Sequence, residues 1–299
     1  MRFHHALTFV PVEEFTTLAR TCDELGYAGL YLSDHLFNPA ELESHYTYAK
    51  DDDGAPSWEK STAWPDPMCT IASLAAITSQ LTFTTGVYIA PVRDLITVAK
   101  TVGTTAAFSA NRVRLGVGVG WCKEEFDQTG QDFATRGKRL DEMIPALRAL
   151  WSGGWVEYHG TYYDVPPCQM NPSPSEPVPI LGGGHSAPAF RRAAQLCDGW
   201  IAAGAYSEVE ALGHLDTLAE YRRAAGREHE PYAIYLSLRE RPSVDLYRRM
   251  EERGVTDMIC APWWFARIAP GATAEQAIAA RIQSATVFAE HYVAKMTDN

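Results

Sequence analysis

Val113-Arg114-Leu115-Gly116-Val117-Gly118-Val119-Gly120 decides the fold. The run is too apolar to alternate between core and solvent, so it reads as a strand buried on both faces, as in a parallel sheet. Its period of two puts Gly116, Gly118 and Gly120 on one face, with Val117 and Val119 opposite. Glycines there leave room for a planar ligand. The spacing lacks a G-x-G-x-x-G, so a dinucleotide fingerprint is rejected. On either side stand helical faces, Leu95, Val98, Ala99, Val102 and Ala106 before it and Leu140, Ile144, Leu147 and Trp151 after it.

The same beat extends in both directions. Upstream, strand Phe3 to Val10 precedes a helix carrying Phe15, Leu18, Ala19, Cys22 and Leu25, which Gly26 stops. Strand Ala28 to Asp34 precedes helix Met68 to Ser79, and a β-rich run covers Leu81 to Ala90. Downstream, strands at Val178 to Leu181, Gly199 to Ala203, Ala233 to Leu238 and Thr256 to Ala261 alternate with helices. Those helices cover Ala187 to Leu196, Glu208 to Ala225, Val244 to Arg253 and Ala274 to Ala294, the last with Thr273 as its N-cap. Eight strand-helix pairs with continuously apolar strands predict a closed (β/α)8 TIM barrel, an α/β fold, against the alternative of a doubly wound open sheet. No strong interdomain linker interrupts residues 1–299, which are assigned to one domain.

Composition fits this reading. The 299 residues are 46% hydrophobic and 21% charged, an ordinary globular balance. Area scaling gives roughly 35,000 Å² buried on folding, enough to need no staple. A net charge of -11, with no dense Lys/Arg run, speaks against nucleic acid. An anionic ligand must therefore be held locally, by backbone amides or a few placed cations. Met1 to Val10 has no targeting signature and no run approaches a membrane span. Cys22, Cys69, Cys122, Cys168, Cys197 and Cys260 are scattered without metal-ligand spacing, which reads as reduced core thiols of a cytoplasmic protein. His4 and His5 point to opposite faces at the start of strand one, so no metal site is expected. The expected partner is a small-molecule substrate, with neither nucleic acid nor membrane, and homo-oligomerisation stays open.

Two connections are unusually long, an insertion after strand two and another after strand four. Residues 36–67 carry Phe37, Tyr46, Tyr48, Trp58 and Trp64 among Asp51, Asp52, Asp53 and Gly54, a candidate lid over a ring-shaped ligand. Residues 153–179 read as a hairpin, Val156 to Tyr158 and Thr161 to Val165 around His159 and Gly160. Pro166, Pro167, Pro172, Pro174, Pro177 and Pro179 then impose an extended path.

Barrel active sites are built where strands end. Strand two ends Ser33-Asp34-His35, a carboxylate beside an imidazole, either an acid/base pair or a local cap. Strand three contains Gly86-Val87, and glycine in a buried strand fits a bulge or close approach to a ligand. After strand five, Gly182-Gly183-Gly184-His185-Ser186 precedes a helix bearing Arg191 and Arg192. That is the arrangement of a phosphate site, or of an ordinary tight turn. No G-x-S-x-G elbow or Walker lysine is present.

Several of these stretches together resemble the luciferase-like monooxygenase superfamily of flavin and deazaflavin oxidoreductases, and most of all its coenzyme F420-dependent branch. They are SDH at Ser33 to His35, TGVYIAP at Thr85 to Pro91 and RVRLGVGVGWCKEEFDQTG at Arg112 to Gly130. RGKRLDEM at Arg136 to Met143, PVPILGGGHS at Pro177 to Ser186, FRRAA at Phe190 to Ala194 and DGW at Asp198 to Trp200 complete the set. The resemblance implies an F420-dependent oxidoreductase that transfers a hydride to or from a small or medium organic substrate. The alternatives are an FMN-dependent monooxygenase and a non-catalytic flavin or deazaflavin-binding protein. It places Asp34 and His35 beside the ring, with His35 as acid/base. It also implies a non-prolyl cis peptide at Gly86-Val87, and phosphate contacts from Gly183, Gly184, His185 and Ser186. Gly118 and Gly120 would border the same cofactor. Sugar-phosphate dehydrogenases of the family carry a glutamate where this chain has Trp121, which argues against sugar-phosphate oxidation.

Overall fold

A computed structural model describes residues 1–47, 54–56 and 58–297. Tyr48, Asp51, Asp52 and Asp53 of the predicted lid lie outside the described residues. In chain order the strands are β1 (Arg2–Ala6), β2 (Gly29–Leu32), β3 (Thr82–Thr85), β4 (Tyr88–Ile89), β5 (Val113–Gly118) and β6 (Val156–His159). They continue with β7 (Asp164–Cys168), β8 (Ile180–Gly183), β9 (Gly199–Tyr206), β10 (Ala233–Leu238) and β11 (Asp257–Cys260). The main sheet runs β3-β2-β1-β11-β10-β9-β8-β5-β4, and β3 also pairs with β5. That pairing closes a parallel barrel and removes the open-sheet alternative.

The third stave is broken. Phe83 faces Val113 and Tyr88 faces Val117, so five residues on one strand (88 − 83) span four on its partner (117 − 113). The extra residue is a bulge at Gly86-Val87, and the peptide bond between them is cis.

Helices α1 (Phe15–Glu24), α2 (Pro67–Ala75), α3 (Leu95–Phe108), α4 (Lys123–Thr129), α5 (Arg136–Leu150), α6 (Ala187–Leu196), α7 (Glu208–Ala224), α8 (Val244–Glu252) and α9 (Ala274–Phe288) surround the barrel. Leu18, Ala19 and Cys22 are the buried face of α1, as the spacing predicts. Thr273 caps α9, accepting from Gln276 N while the Gln276 side chain returns a bond. The chain then passes through a π turn at Ala289–Val293 rather than a continuous α-helix. Helix α4 is an extra element of about two turns that the heavily charged Lys123 to Asp127 concealed. Within the barrel, Ala6, Leu181, Ile201, Tyr235 and Ile259 form a small apolar cluster. The adjacent histidines do face opposite ways: His4 Nε2 lies 2.7 Å from Asp257 Oδ1, and His5 meets the ring of Tyr27.

The described residues of 36–67 follow β2, and several of them line the cleft at the strand ends. The second long connection departs instead from α5 and feeds β8. In a (β/α)8 barrel, links from helix to strand lie away from the active-site face. Its β6–β7 hairpin lies against α5, where the Glu142 carboxylate accepts from the Thr161, Tyr162 and Tyr163 amides at 2.8–3.0 Å. This segment is therefore a brace on the outside of the barrel. Among the described residues no helix is long and apolar enough to cross a membrane.

Candidate active site

The C-terminal ends of the strands surround a cleft of about 1030 Å³. Asp34, His35, Gly86, Val87, Gly118, Gly120, Gly183, Gly184, His185 and Ser186 all line it. Residues separated by up to 152 positions (186 − 34) are thus brought together, because each terminates a stave or opens the loop after it.

The floor is built on glycine, but not as the strand pattern suggests. A Cβ on Gly118 would lie 2.3 Å from Val87 Cγ2, and one on Gly183 would lie 2.4 Å from Val87 Cγ1. A Cβ on Gly116 would collide with the Thr85 carbonyl at 2.0 Å. The space above these glycines is occupied by the neighbouring bulge, not left for a ligand. Val87 nests on Gly118 and Gly183 and is itself the surface presented to the cleft. Gly86 makes way for Tyr31, whose ring a Cβ would meet at 1.8 Å and whose hydroxyl donates to the Gly86 carbonyl.

Asp34 and His35 are adjacent in sequence but have different partners. Asp34 is buried and accepts from Arg93 Nη1 at 2.7 Å, Arg93 Nη2 at 2.9 Å and Ile89 N at 2.8 Å. This bidentate pair ties β2 to the stave beyond the bulge, so Asp34 is a strut and not a free acid/base. The carboxylate that meets His35 is Glu125: Oε1 lies 3.1 Å from His35 Nδ1 and accepts from Leu36 N at 2.7 Å. Glu125 is wholly buried on α4 and its Oε2 has no hydrogen-bond partner. The sequence reading missed both Arg93 and Glu125. The only available signal was a carboxylate followed by Phe126 just after the glycine strand.

At the opposite wall, Ser186 caps α6, accepting from Ala189 N, so the first turn of that helix opens on the cleft. Gly184 adopts φ +108°, a conformation costly for other residues, and its carbonyl accepts from Trp200 Nε1 at 2.7 Å. His185 Nδ1 lies 2.7 Å from Tyr206 Oη, and its ring stacks on His214 at 5.1 Å. Burial pushes both imidazoles below their usual range. Arg191 and Arg192 do not serve this wall. Arg191 is exposed, and Arg192 is committed to Asp141 at 2.5 Å and the Gly137 carbonyl at 3.0 Å. The arginine that lines the cleft is Arg136, at the start of α5, where its guanidinium stacks on Phe133 and donates to the Gly120 carbonyl.

The described part of 36–67 is fastened across the mouth. Glu124 accepts from Glu43 N at 2.7 Å, Ser44 N at 3.0 Å and Ser44 Oγ at 2.7 Å. Partial burial works to raise its carboxyl, yet these bonds hold it down at about 2. Tyr46, Trp58, Trp64 and Trp121 gather around His35 with centroid separations of 4.9–6.2 Å within the cluster.

A parallel barrel with a glycine-floored cleft at its strand ends defines the class of protein. Residues 1–245 match the luciferase-like monooxygenase family, and the chain belongs to it. An uncharacterized protein of Mycobacterium tuberculosis is 33% identical over 296 residues, covering 99% of this chain and 100% of its own. The fold is shared with the monooxygenase RslO1 from Streptomyces bottropensis, with TM-score 0.72, 18% identity and coverage of 99% and 100% of the two chains. It is shared too with coenzyme F420-dependent tetrahydromethanopterin reductase from Methanopyrus kandleri, with TM-score 0.68, 13% identity and coverage of 98% and 99%. The oxygenating constituent of 3,6-diketocamphane monooxygenase from Pseudomonas putida, solved with FMN, matches with TM-score 0.57 and 17% identity over 79% of this chain and 66% of that one.

Proposed function

We propose that the protein is an oxidoreductase that binds coenzyme F420 and transfers a hydride between it and a small or medium organic substrate. One observation carries this: the capped N-terminus of α6, the Val87 bulge and His35, with Glu125 buried behind it, meet at the same cleft. The residues present suit such a cofactor. The first turn of α6 offers backbone N–H groups and a positive dipole end to a phosphate. Arg136 lines the same cleft and adds a local positive charge there, in a chain whose net charge is -11. Val87 offers an apolar surface against which a planar tricycle can rest. The family to which the chain belongs, and relatives of its fold that use F420 or FMN, favour a deazaflavin or flavin at this place.

When bound, the deazaflavin supplies or accepts the hydride. The protein's own part is orientation and proton management. Donation of Nδ1–H to the Glu125 carboxylate fixes the ring of His35 and leaves Nε2 for the substrate, where it can give or take the proton that accompanies hydride transfer. The described residues of segment 36–67 act as a lid that keeps water from this exchange.

Titration of F420 and FMN against the protein at matched salt tests the reading. Tighter binding of F420, with slow oxygen uptake by the reduced complex, is expected. Preference for FMN with rapid oxygen uptake moves the assignment to an FMN-dependent monooxygenase, and tight binding without turnover of any substrate to a carrier protein.

A further inference from the structure

We infer that the substrate is a neutral, flat aromatic compound, a fused-ring ketone, quinone or phenol, held by an aromatic chamber over His35. This rests on the oxidoreductase reading above and deepens it. Six rings border the part of the cleft around His35: Phe9, Tyr46, Trp58, Trp64, Trp121 and Trp263. They come from four separate segments, the loops after β1, β2, β5 and β11, so no local sequence bias explains their meeting. Each is only partly buried or exposed, and each therefore keeps ring surface toward the open volume.

Their contacts are mainly edge-to-face: Trp58 with Trp64 at 78°, Tyr46 with Trp58 at 77° and His35 with Trp121 at 76°. Rings in that arrangement offer both faces and edges to a further ring, and a π-system gains from them beyond the area it buries. An aliphatic chain gains only the area.

Charge decides against a cation, the other ligand that such cages take. Of the four acidic side chains lining the cleft, three are already engaged. Asp34 is paired with Arg93, Glu124 accepts from Ser44 and two backbone amides, and Asp127 is paired with Lys123 at 2.5 Å. Glu43, exposed at the rim, is the remaining carboxylate. Of the polar side chains nearby, Thr8 and Ser33 are bonded to each other at 2.7 Å, and recognition is assigned to His35, whose Nδ1 is taken by Glu125. One oxygen on one edge of the ligand satisfies its other nitrogen. Trp121 is central, touching His35, Tyr46 and Trp58 at once.

Calorimetric titration of the full chain, without turnover, separates the possibilities. The probes are 2-naphthaldehyde, decanal and benzyltrimethylammonium, each added with and without saturating F420. Binding of F420 itself is the control for the underlying reading, and its failure is visible independently of the probes. We expect 2-naphthaldehyde to bind at least about tenfold more tightly than decanal or the cation. Trp58→Leu and Trp121→Leu, checked for native circular dichroism, should each weaken it about fivefold or more while leaving decanal within about twofold. Equal binding of decanal, tighter binding of the cation, or undiminished naphthaldehyde affinity in both folded variants overturns the inference.

Discussion

The His35 imidazole on the wall of the cleft and the Glu125 carboxylate buried behind it, 90 positions apart in sequence, meet at 3.1 Å. Glu125 also accepts from the amide that follows His35, so one buried carboxylate fixes both the ring and the backbone that carries it. His35→Ala should slow turnover by about 100-fold or more while cofactor affinity stays within about twofold. Glu125→Gln should slow it less. If the two act as a unit, the double variant is no slower than His35→Ala alone. Pre-steady-state hydride transfer measures all three. Simple multiplication of the two defects means that Glu125 acts elsewhere.

Asp34 should behave differently from its neighbour. Its carboxylate is buried against a bidentate Arg93, whose guanidinium also lies over the Tyr88 ring at 4.1 Å. Asp34→Asn leaves that cation with only the more distant Asp66 carboxylate, 3.8 Å away, and should cost about 3 kcal/mol of stability. Urea unfolding reads the loss. The chemical rate of the folded fraction should remain near wild type, and a rate defect without a stability defect would restore Asp34 to the chemistry.

The alternation of apolar strands and helices is enough to give the barrel, since strands covered on both faces leave a signature that chain order preserves. The places where strands end are legible too, and every residue expected there lines the cleft. Tertiary partnership is not legible. Nothing local distinguishes Glu125 from Glu124, though one lies under His35 and the other holds Glu43 and Ser44. The glycines of β5 were visible, but what fills the space above them is Val87 of a neighbouring stave. Arg191 and Arg192 follow the glycine turn as a phosphate site requires, yet helical rotation turns one to solvent and the other to Asp141. The segment 153–179 was legible as a hairpin, while its departure from a helix, and hence its place away from the cleft, depended on where α5 ends.

Ser186→Ala isolates the phosphate wall better than a change at Gly183. A side chain at Gly183 would strike Val87 and the Val117 carbonyl, disturbing the bulge and the wall together. Ser186→Ala removes a hydroxyl that caps α6 and lines the cleft. Loss of the cap should cost about 1 kcal/mol of stability. Cofactor affinity should fall severalfold, and inorganic phosphate should compete for the site in wild type. Unchanged affinity in the folded variant would remove this helix from the cofactor site.

Glu124→Ala should loosen the lid while sparing the barrel. The carboxylate closes three bonds to Glu43 and Ser44, and α4 otherwise packs through Glu125 and Phe126, its buried residues. Limited proteolysis should cut within 36–67 faster than in wild type. KM for substrate should rise by more than cofactor Kd. Wild-type resistance to protease would show that the segment is held by its aromatic contacts alone.

Acid sensitivity should trace in part to His5. Its ring is completely buried between β1 and Tyr27, and burial pushes it from the usual 6.5 down to about 4. Well above pH 6.5 neither the folded nor the unfolded chain holds a proton there, and the group adds no pH dependence. As pH falls from 6.5 toward 4, the unfolded chain binds the proton and the folded chain does not, so stability declines. Below about 4 both states are protonated and this loss stops. At roughly 1.4 kcal/mol per pKa unit, the group should account for about 2 kcal/mol of the stability lost between pH 7 and pH 5. His5→Leu keeps an apolar group in the same space and removes that titration. Urea unfolding of both proteins at the two pH values gives the comparison. The wild type should lose about 2 kcal/mol more than the variant over this interval, and parallel losses would mean that His5 does not set the acid limb.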